Sequence, residues 1–252
     1  MIATLRSFGA KAKPLLAATL DTAFPARCAA CRDPVSTHGA LCVRCWTDIH
    51  FIGDPVCHRC GLPFEHDMGG IAMCGHCMME PPAFTQTRSV FRYDGSSRAQ
   101  VLALKYYDKT QLAPIFGMWL ARMGKEYQDK VSAILPVPLH YLRLLTRRYN
   151  QAALLAHALS HQINLPVLPD ALRRIRPTQT QAGLTRKGRE DNVRGAFAVA
   201  KKKRTQLKGA SVLLVDDVMT TGATLNACAR TLHDAGVADV YVLTIARTVV
   251  AD

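Results

Sequence analysis

The stretch Val212-Leu-Leu-Val-Asp-Asp-Val-Met-Thr-Thr-Gly-Ala-Thr224 decides the fold. Four apolar residues end in two carboxylates, and a Thr/Gly-rich turn then opens a run with helical spacing, Ala223 to Ala235. A buried strand, a tight turn and a helix in succession are the unit from which parallel sheets are built. The first backbone N–H groups of a helix lack intrahelical partners, and the aligned peptide dipoles add partial positive charge there. Thr220, Thr221, Gly222, Ala223 and Thr224 are therefore read as a phosphate cradle. Gly222 lets the backbone approach a ligand closely, and the Thr hydroxyls add donors. Adjacent strand residues face opposite sides, so Asp216 and Asp217 can share a ligand only if the chain is already leaving the strand there. Placed that way, they suit the vicinal hydroxyls of a phosphorylated sugar at the carboxyl edge of the sheet, where ligands bind.

Outward from this stretch the same alternation recurs. Val131 to Val137 and Val240 to Ala246 read as buried strands, and Asn150 to Gln162 as a helix. Upstream, Ser89 to Tyr93 reads as a strand, Gly95 opens a helix carrying Val101, Leu102 and Leu104, and Gln111 to Tyr127 reads as a second helix. The expectation is an α/β parallel sheet with flanking helices. Arg173 to Arg194 lacks periodicity and is expected to be a long mobile loop. Lys201-Lys-Lys-Arg204 is expected on a turn as a solvent-facing charge cluster.

In 252 residues, 49% hydrophobic and 20% charged side chains exclude disorder and supply ample core. The net charge is +13, and Pro138 to Lys208 alone carries fifteen Lys/Arg against the three acids Asp170, Glu190 and Asp191. So concentrated an excess points to a polyanionic partner. The apolar stretch Pro14 to Leu20 is bracketed by Lys11, Lys13 and Asp21 and is too short to span a membrane. It is read as part of an N-terminal helix docking on the body. The expectation is a cytoplasmic protein with no membrane span.

Eight of the nine cysteines form four tight pairs, Cys28/Cys31, Cys42/Cys45, Cys57/Cys60 and Cys74/Cys77. A two-residue spacer turns both thiolates toward one ion, and a tetrahedral zinc needs two such knuckles, so two structural Zn²⁺ are expected. Disulfides or a redox pair are the rival readings. Sequential pairing closes the shorter loops, but crossed pairing stays open. Large apolar residues are few between Cys28 and Cys77, so metal binding must supply folding energy. His58, His66 and His76 are read as loop residues, and Cys228 as a small buried hydrophobe.

The segment Val212 to Thr224 closely resembles the phosphoribosyl pyrophosphate (PRPP) motif of type I phosphoribosyltransferases. Leu104-Lys-Tyr106, Leu135-Pro-Val-Pro-Leu-His140 with Arg147-Arg-Tyr-Asn-Gln-Ala152, and Gln179 to Leu184 with Arg189 to Val193 narrow the resemblance to the ComF family of competence-associated proteins. ComF-like chains also carry an N-terminal cysteine-rich ribbon. The expected organisation is an N-terminal helical segment over 1–27, read from the residues, then, as the resemblance implies, a double zinc ribbon over 28–80 and a phosphoribosyltransferase-like domain over 85–252. It implies that Asp216 and Asp217 hold the ribose diol and Thr220 to Thr224 the 5′-phosphate. It also implies that Pro138 to Arg148, with Arg148, meets pyrophosphate and Mg²⁺, and that Gln179 to Asn192, with Arg189, closes over the site. The implied role is in DNA uptake and natural transformation, with single-stranded DNA and other uptake proteins as partners. A non-catalytic DNA-binding adaptor with a sensory PRPP site and a nucleobase-salvage enzyme are the alternatives. Glutamine-dependent members need an N-terminal Cys nucleophile, and residue 2 is Ile, so glutamine-dependent activity is not expected.

Overall fold

The structure, a computed structural model, describes residues 25–28, 30–37, 40–178 and 185–249. The expected N-terminal helix and the Gln179 to Leu184 part of the expected closing loop fall largely or wholly outside those residues. The chain forms two compact units, Met1–Thr47 and Asp48–Asp252.

In the first unit, Arg27 and Pro34 form an antiparallel bridge around the Cys28 knuckle. A short helix, α1 (Val43–Thr47), carries Cys45. The second unit repeats this device, with a Val56–Pro63 bridge around the Cys57 knuckle and a helix, α2 (Gly75–Met79), carrying Cys77.

The second unit then builds the expected sheet. In chain order the elements are β1 (Gln86–Arg92), α3 (Gly95–Tyr106), α4 (Ala113–Met123), β2 (Ala133–Pro136), α5 (Tyr141–Arg147), α6 (Gln151–Ile163), β3 (Leu172–Arg174), α7 (Arg186–Val193), β4 (Phe197–Val199), α8 (Arg204–Leu207), β5 (Ser211–Met219), α9 (Ala223–Asp234) and β6 (Asp239–Arg247). The main sheet has the order β1-β6-β5-β2, all parallel, and β3 and β4 form a separate antiparallel pair. β5 is buried on both faces, which is why it reads as a continuous apolar run rather than an alternation. Val212 and Leu214 join the cluster of Leu225, Cys228 and Leu232 from α9. Alternation leaves Leu213 and Val215 for the opposite face, where α6 lies against β5 and β2. Phe91, Phe116 and Trp119 stack edge-on or tilted beneath that layer, with ring centroids 5.7 to 6.2 Å apart. Among the described residues no helix is long and apolar enough to cross a membrane.

One expectation needs correction. Arg173 to Arg194 is not a structureless loop: its start pairs as β3, and Arg186–Val193 forms α7, with Gly188 N–H donating to the Thr185 hydroxyl at 3.2 Å. That helix presents polar residues almost throughout, so no apolar period announced it; its N-cap is the readable signal. Pro138 to Arg148 likewise contains a helix, α5, whose N-cap is His140. Lys201–Lys203, by contrast, is the expected turn: a 3₁₀ turn with Lys201, Lys202 and Arg204 exposed, running into α8, which the buried Leu207 anchors.

Candidate ligand site and metal centres

β5 extends through both aspartates to Met219, pairing Asp216 with Thr244 and Val218 with Ala246. The condition for a shared ligand is therefore not met in this structure, because the chain has not left the strand. Asp217 is buried and ion-paired to Lys105 Nζ of α3 at 3.0 Å. Burial opposes the Lys105 charge, but Asp217, then Asp216, hold its ammonium above the ordinary lysine range. Asp216 is half-buried and accepts the Asp217 N–H at 2.9 Å. Burial, then the neighbouring Asp217 carboxylate, pushes Asp216 up to about 7, against the pull of Lys105 and of Arg174 on β3. One carboxylate is thus paired with a lysine, while burial and that neighbouring carboxylate disfavour the charge on the other.

The turn after β5 is built as expected. Gly222 has φ 79 and ψ 0, a left-handed conformation, and a Cβ there would lie 2.9 Å from the Met219 methyl. Ala223 N–H donates to the Thr221 hydroxyl at 3.4 Å, and Asn226 N–H to the Gly222 carbonyl at 2.8 Å. Thr220, Gly222 and Ala223 line a cavity of about 990 Å³ together with Arg189 of α7. Asp216 and Asp217 do not line it.

The basic segments divide. Arg148, in a left-handed conformation at φ 64, is exposed and reaches Asp108 Oδ2 at 3.5 Å. Arg147 lies over the Tyr106 ring at 4.9 Å and donates to its hydroxyl at 3.0 Å. Arg143 is part-buried and donates to the Thr178 carbonyl at 3.0 Å. Burial, then repulsion from a neighbouring guanidinium, pulls Arg143 and Arg174 below the ordinary arginine range. Arg143, Arg174 and Lys105 are site candidates that the sequence did not single out; Lys105 carried a signal through the Leu104-Lys-Tyr106 match, and Arg143 one by lying within Pro138 to Arg148.

The cysteines gather sequentially, Cys28, Cys31, Cys42 and Cys45 in one group and Cys57, Cys60, Cys74 and Cys77 in the other, with all sulfurs of a group within 4.8 Å of one another. The pairing left open in the sequence is thereby settled for the shorter loops. All nine cysteines are free of disulfides. No histidine enters either group. The donor set fits a thiolate-bound dication: Cys42 N–H points at Cys28 Sγ and Cys74 N–H at Cys57 Sγ, each at 3.3 Å. At Cys28 burial works against the thiolate, but N–H groups of Cys31, Cys42 and Ala30 bring the thiol down to about 6. At Cys57 a hydrogen bond from the Cys60 thiol, helped by backbone N–H groups, outweighs burial and brings it to about 4. Cys228 is fully buried on α9, and burial pushes its thiol up, as suits a core residue.

Comparison with known proteins agrees with both halves. A double zinc ribbon domain matches residues 19–78, and a phosphoribosyl transferase domain matches residues 121–250, more than half of the chain. Competence protein F of Haemophilus influenzae is 32% identical over 231 residues, covering 89% of this chain and 98% of that protein. The chain belongs to the ComF family. Other ComF relatives include the DNA utilization protein YhgH of Salmonella typhimurium, 29% identical over 89% of this chain and 98% of that protein. Competence protein ComFC of Bacillus subtilis is 26% identical over 78% of this chain and 79% of that protein. The ComF chain described here therefore carries two Cys₄ groups suited to structural zinc and a phosphoribosyltransferase-type parallel sheet.

Proposed function

We propose that this chain binds PRPP with Mg²⁺ at the carboxyl edge of β5 and transfers its phosphoribosyl group in the handling of DNA during uptake. The observation that carries the reading is the β5–turn–α9 junction: a left-handed Gly222 opens a helix N-terminus a few residues beyond a carboxyl group poised near neutrality. In this reading Thr220 to Thr224 hold the 5′-phosphate, with Arg189 approaching the same cavity. Asp216 meets the ribose diol. Asp217 serves the diol only once Lys105 releases it and the end of β5 leaves its pairing with β6, and otherwise positions that lysine. Arg143 and Arg174 take the pyrophosphate more readily than Arg148, because Arg148 turns to Asp108 as an exposed ion pair. Mg²⁺, when bound, would neutralise charge on the departing pyrophosphate. The C1–O bond to pyrophosphate breaks and a bond from C1 to the acceptor forms, with positive charge developing on the sugar between the two events.

The experiment measures Mg²⁺-dependent PRPP binding by the wild type and by Asp216→Ala/Asp217→Ala. Binding lost only in the double variant supports the reading, and no binding by the wild type ends it. Pyrophosphate release in the presence of single bases, amines or single-stranded DNA then identifies the acceptor.

A second reading, a DNA-binding adaptor in which the PRPP site senses rather than reacts, is favoured by the closed Lys105–Asp217 pair and the exposed Lys201, Lys202 and Arg204. It requires salt-sensitive DNA binding that survives the double substitution.

A further inference from the structure

Arg247 ends β6 beside the cradle. It pairs in register with Met219, the residue before Thr220, and the next residue, Thr248, donates its N–H to the Met219 carbonyl at 2.9 Å. Its side chain lines the same cavity as Thr220, Thr221 and Gly222, and so do Cys60 and Cys77. The residue is 5% exposed, and its Nη1 donates to the carbonyl of Cys60, a member of the second Cys₄ group. Nε has no hydrogen-bond partner, and among the described residues no carboxylate pairs with the guanidinium. Among the described residues, Asp217, also buried and charged, has Lys105 at 3.0 Å. A buried charge without a counter-ion is costly, and a planar guanidinium with donors to spare is the side chain best suited to phosphate. Two anions could meet it from this cavity: a phosphate held at the turn, and the four-cysteine group, which as thiolates around a dication would carry a formal charge of about 2−.

We propose that Arg247 is a phosphate-binding residue of the cradle, positioned through the Cys60 carbonyl by the second Cys₄ centre, so that metal at that centre and a phosphorylated ligand at the turn strengthen each other's binding. The inference rests on the PRPP reading. Thermodynamic linkage makes the effect reciprocal: if metal tightens the ligand, the ligand retains the metal by the same factor.

The test uses the zinc-loaded full chain. Mg²⁺-PRPP binding is titrated calorimetrically for the wild type, Arg247→Met, Arg247→Lys and, as a control for general loss of positive potential, Arg230→Met, which lines the same cavity on α9. Zinc release to a colorimetric chelator is timed with and without PRPP. Loss of charge-assisted contacts predicts affinity about ten- to a hundred-fold weaker in Arg247→Met, partial recovery in Arg247→Lys, and little change in Arg230→Met. PRPP slows the second centre's zinc release in the wild type and fails to do so in Arg247→Met. Absence of PRPP binding by the wild type overturns the functional reading and this inference together. Wild-type binding with unchanged affinity in Arg247→Met, or wild-type zinc release indifferent to PRPP, overturns the inference alone. If Arg247→Met does not fold, Arg247→Lys and the wild-type release rates decide the same question.

Discussion

The Cys28 and Cys57 knuckles repeat one hydrogen-bond pattern in two surroundings. Arg32 N–H donates to the Cys28 carbonyl at 2.9 Å and Gly61 N–H to the Cys57 carbonyl at 2.8 Å. The residue four after the first cysteine is left-handed in both, φ 68 at Arg32 and φ 66 at Gly61. At the second knuckle a Cβ on Gly61 would meet the Thr87 carbonyl oxygen at 2.7 Å, because β1 lies against the turn and Thr87 N–H donates to the Arg59 carbonyl at 2.8 Å. Arg32 is exposed and carries a full side chain. Cys57, Cys60 and Cys77 belong to the apolar cluster of Phe84, Met219 and the α9 side chains. Val43 and Trp46, beside Cys45, stand exposed at 79% and 49%. The same four-cysteine device thus stands beside exposed apolar side chains among the described residues of the first unit and is part of a core in the second.

The strongest way to break that contrast is to remove a ligand from each. Structural zinc supplies about 10–16 kcal/mol of apparent binding free energy, so Cys57→Ser should take more than about 5 kcal/mol from the main calorimetric unfolding transition. Cys28→Ser should leave that transition in place and abolish hydrogen-exchange protection only around the first knuckle. Equal losses from the main transition would erase the distinction. Next in size is Gly61→Ala: left-handed strain and the collision with β1 together cost about 3 kcal/mol by chemical denaturation. A neutral result would show that β1 does not press on the knuckle.

A third contrast uses pH. An ordinary carboxyl titrates near 4, whereas burial holds Asp216 up to about 7, so between those values the folded state binds more protons than the unfolded state. Stability of the second unit should therefore fall as pH rises from about 4 to 7, and Asp216→Asn should flatten that slope. The first unit, which lacks such a group among its described residues, should not follow. Mg²⁺-PRPP binding should release protons near pH 6 if Asp216 must ionise to meet the ligand, and calorimetry in buffers of different ionisation enthalpy reads that number. The smallest effect is expected at Arg32→Gly, which relieves left-handed strain at an open position and should stabilise the first knuckle by less than about 1 kcal/mol, as read by hydrogen exchange.

Much of the sheet was legible because parallel strands buried on both faces appear as short apolar runs, and β2, β5 and β6 do so between helical periods. What escaped was held by other means. α7 has a cap but no apolar stripe, and β3 and β4 are three residues each, too short to show alternation. In the candidate site, the cradle followed from one contiguous stretch. Lys105, Arg143, Arg174 and Arg247 reach their places from α3, α5, β3 and β6, and no local spacing connects them.

The sequence by itself determined the four close cysteine pairs and the strand–turn–helix junction, since both depend on residues within a few positions of one another. Which knuckles gather into one group, that Asp217 is claimed by Lys105 while burial disfavours the charge on Asp216, and that Arg247 stands buried beside Cys60 and the turn after β5 were decided only by the tertiary structure. Those properties arise from burial and from charges brought together across long stretches of chain, and a local pattern carries neither.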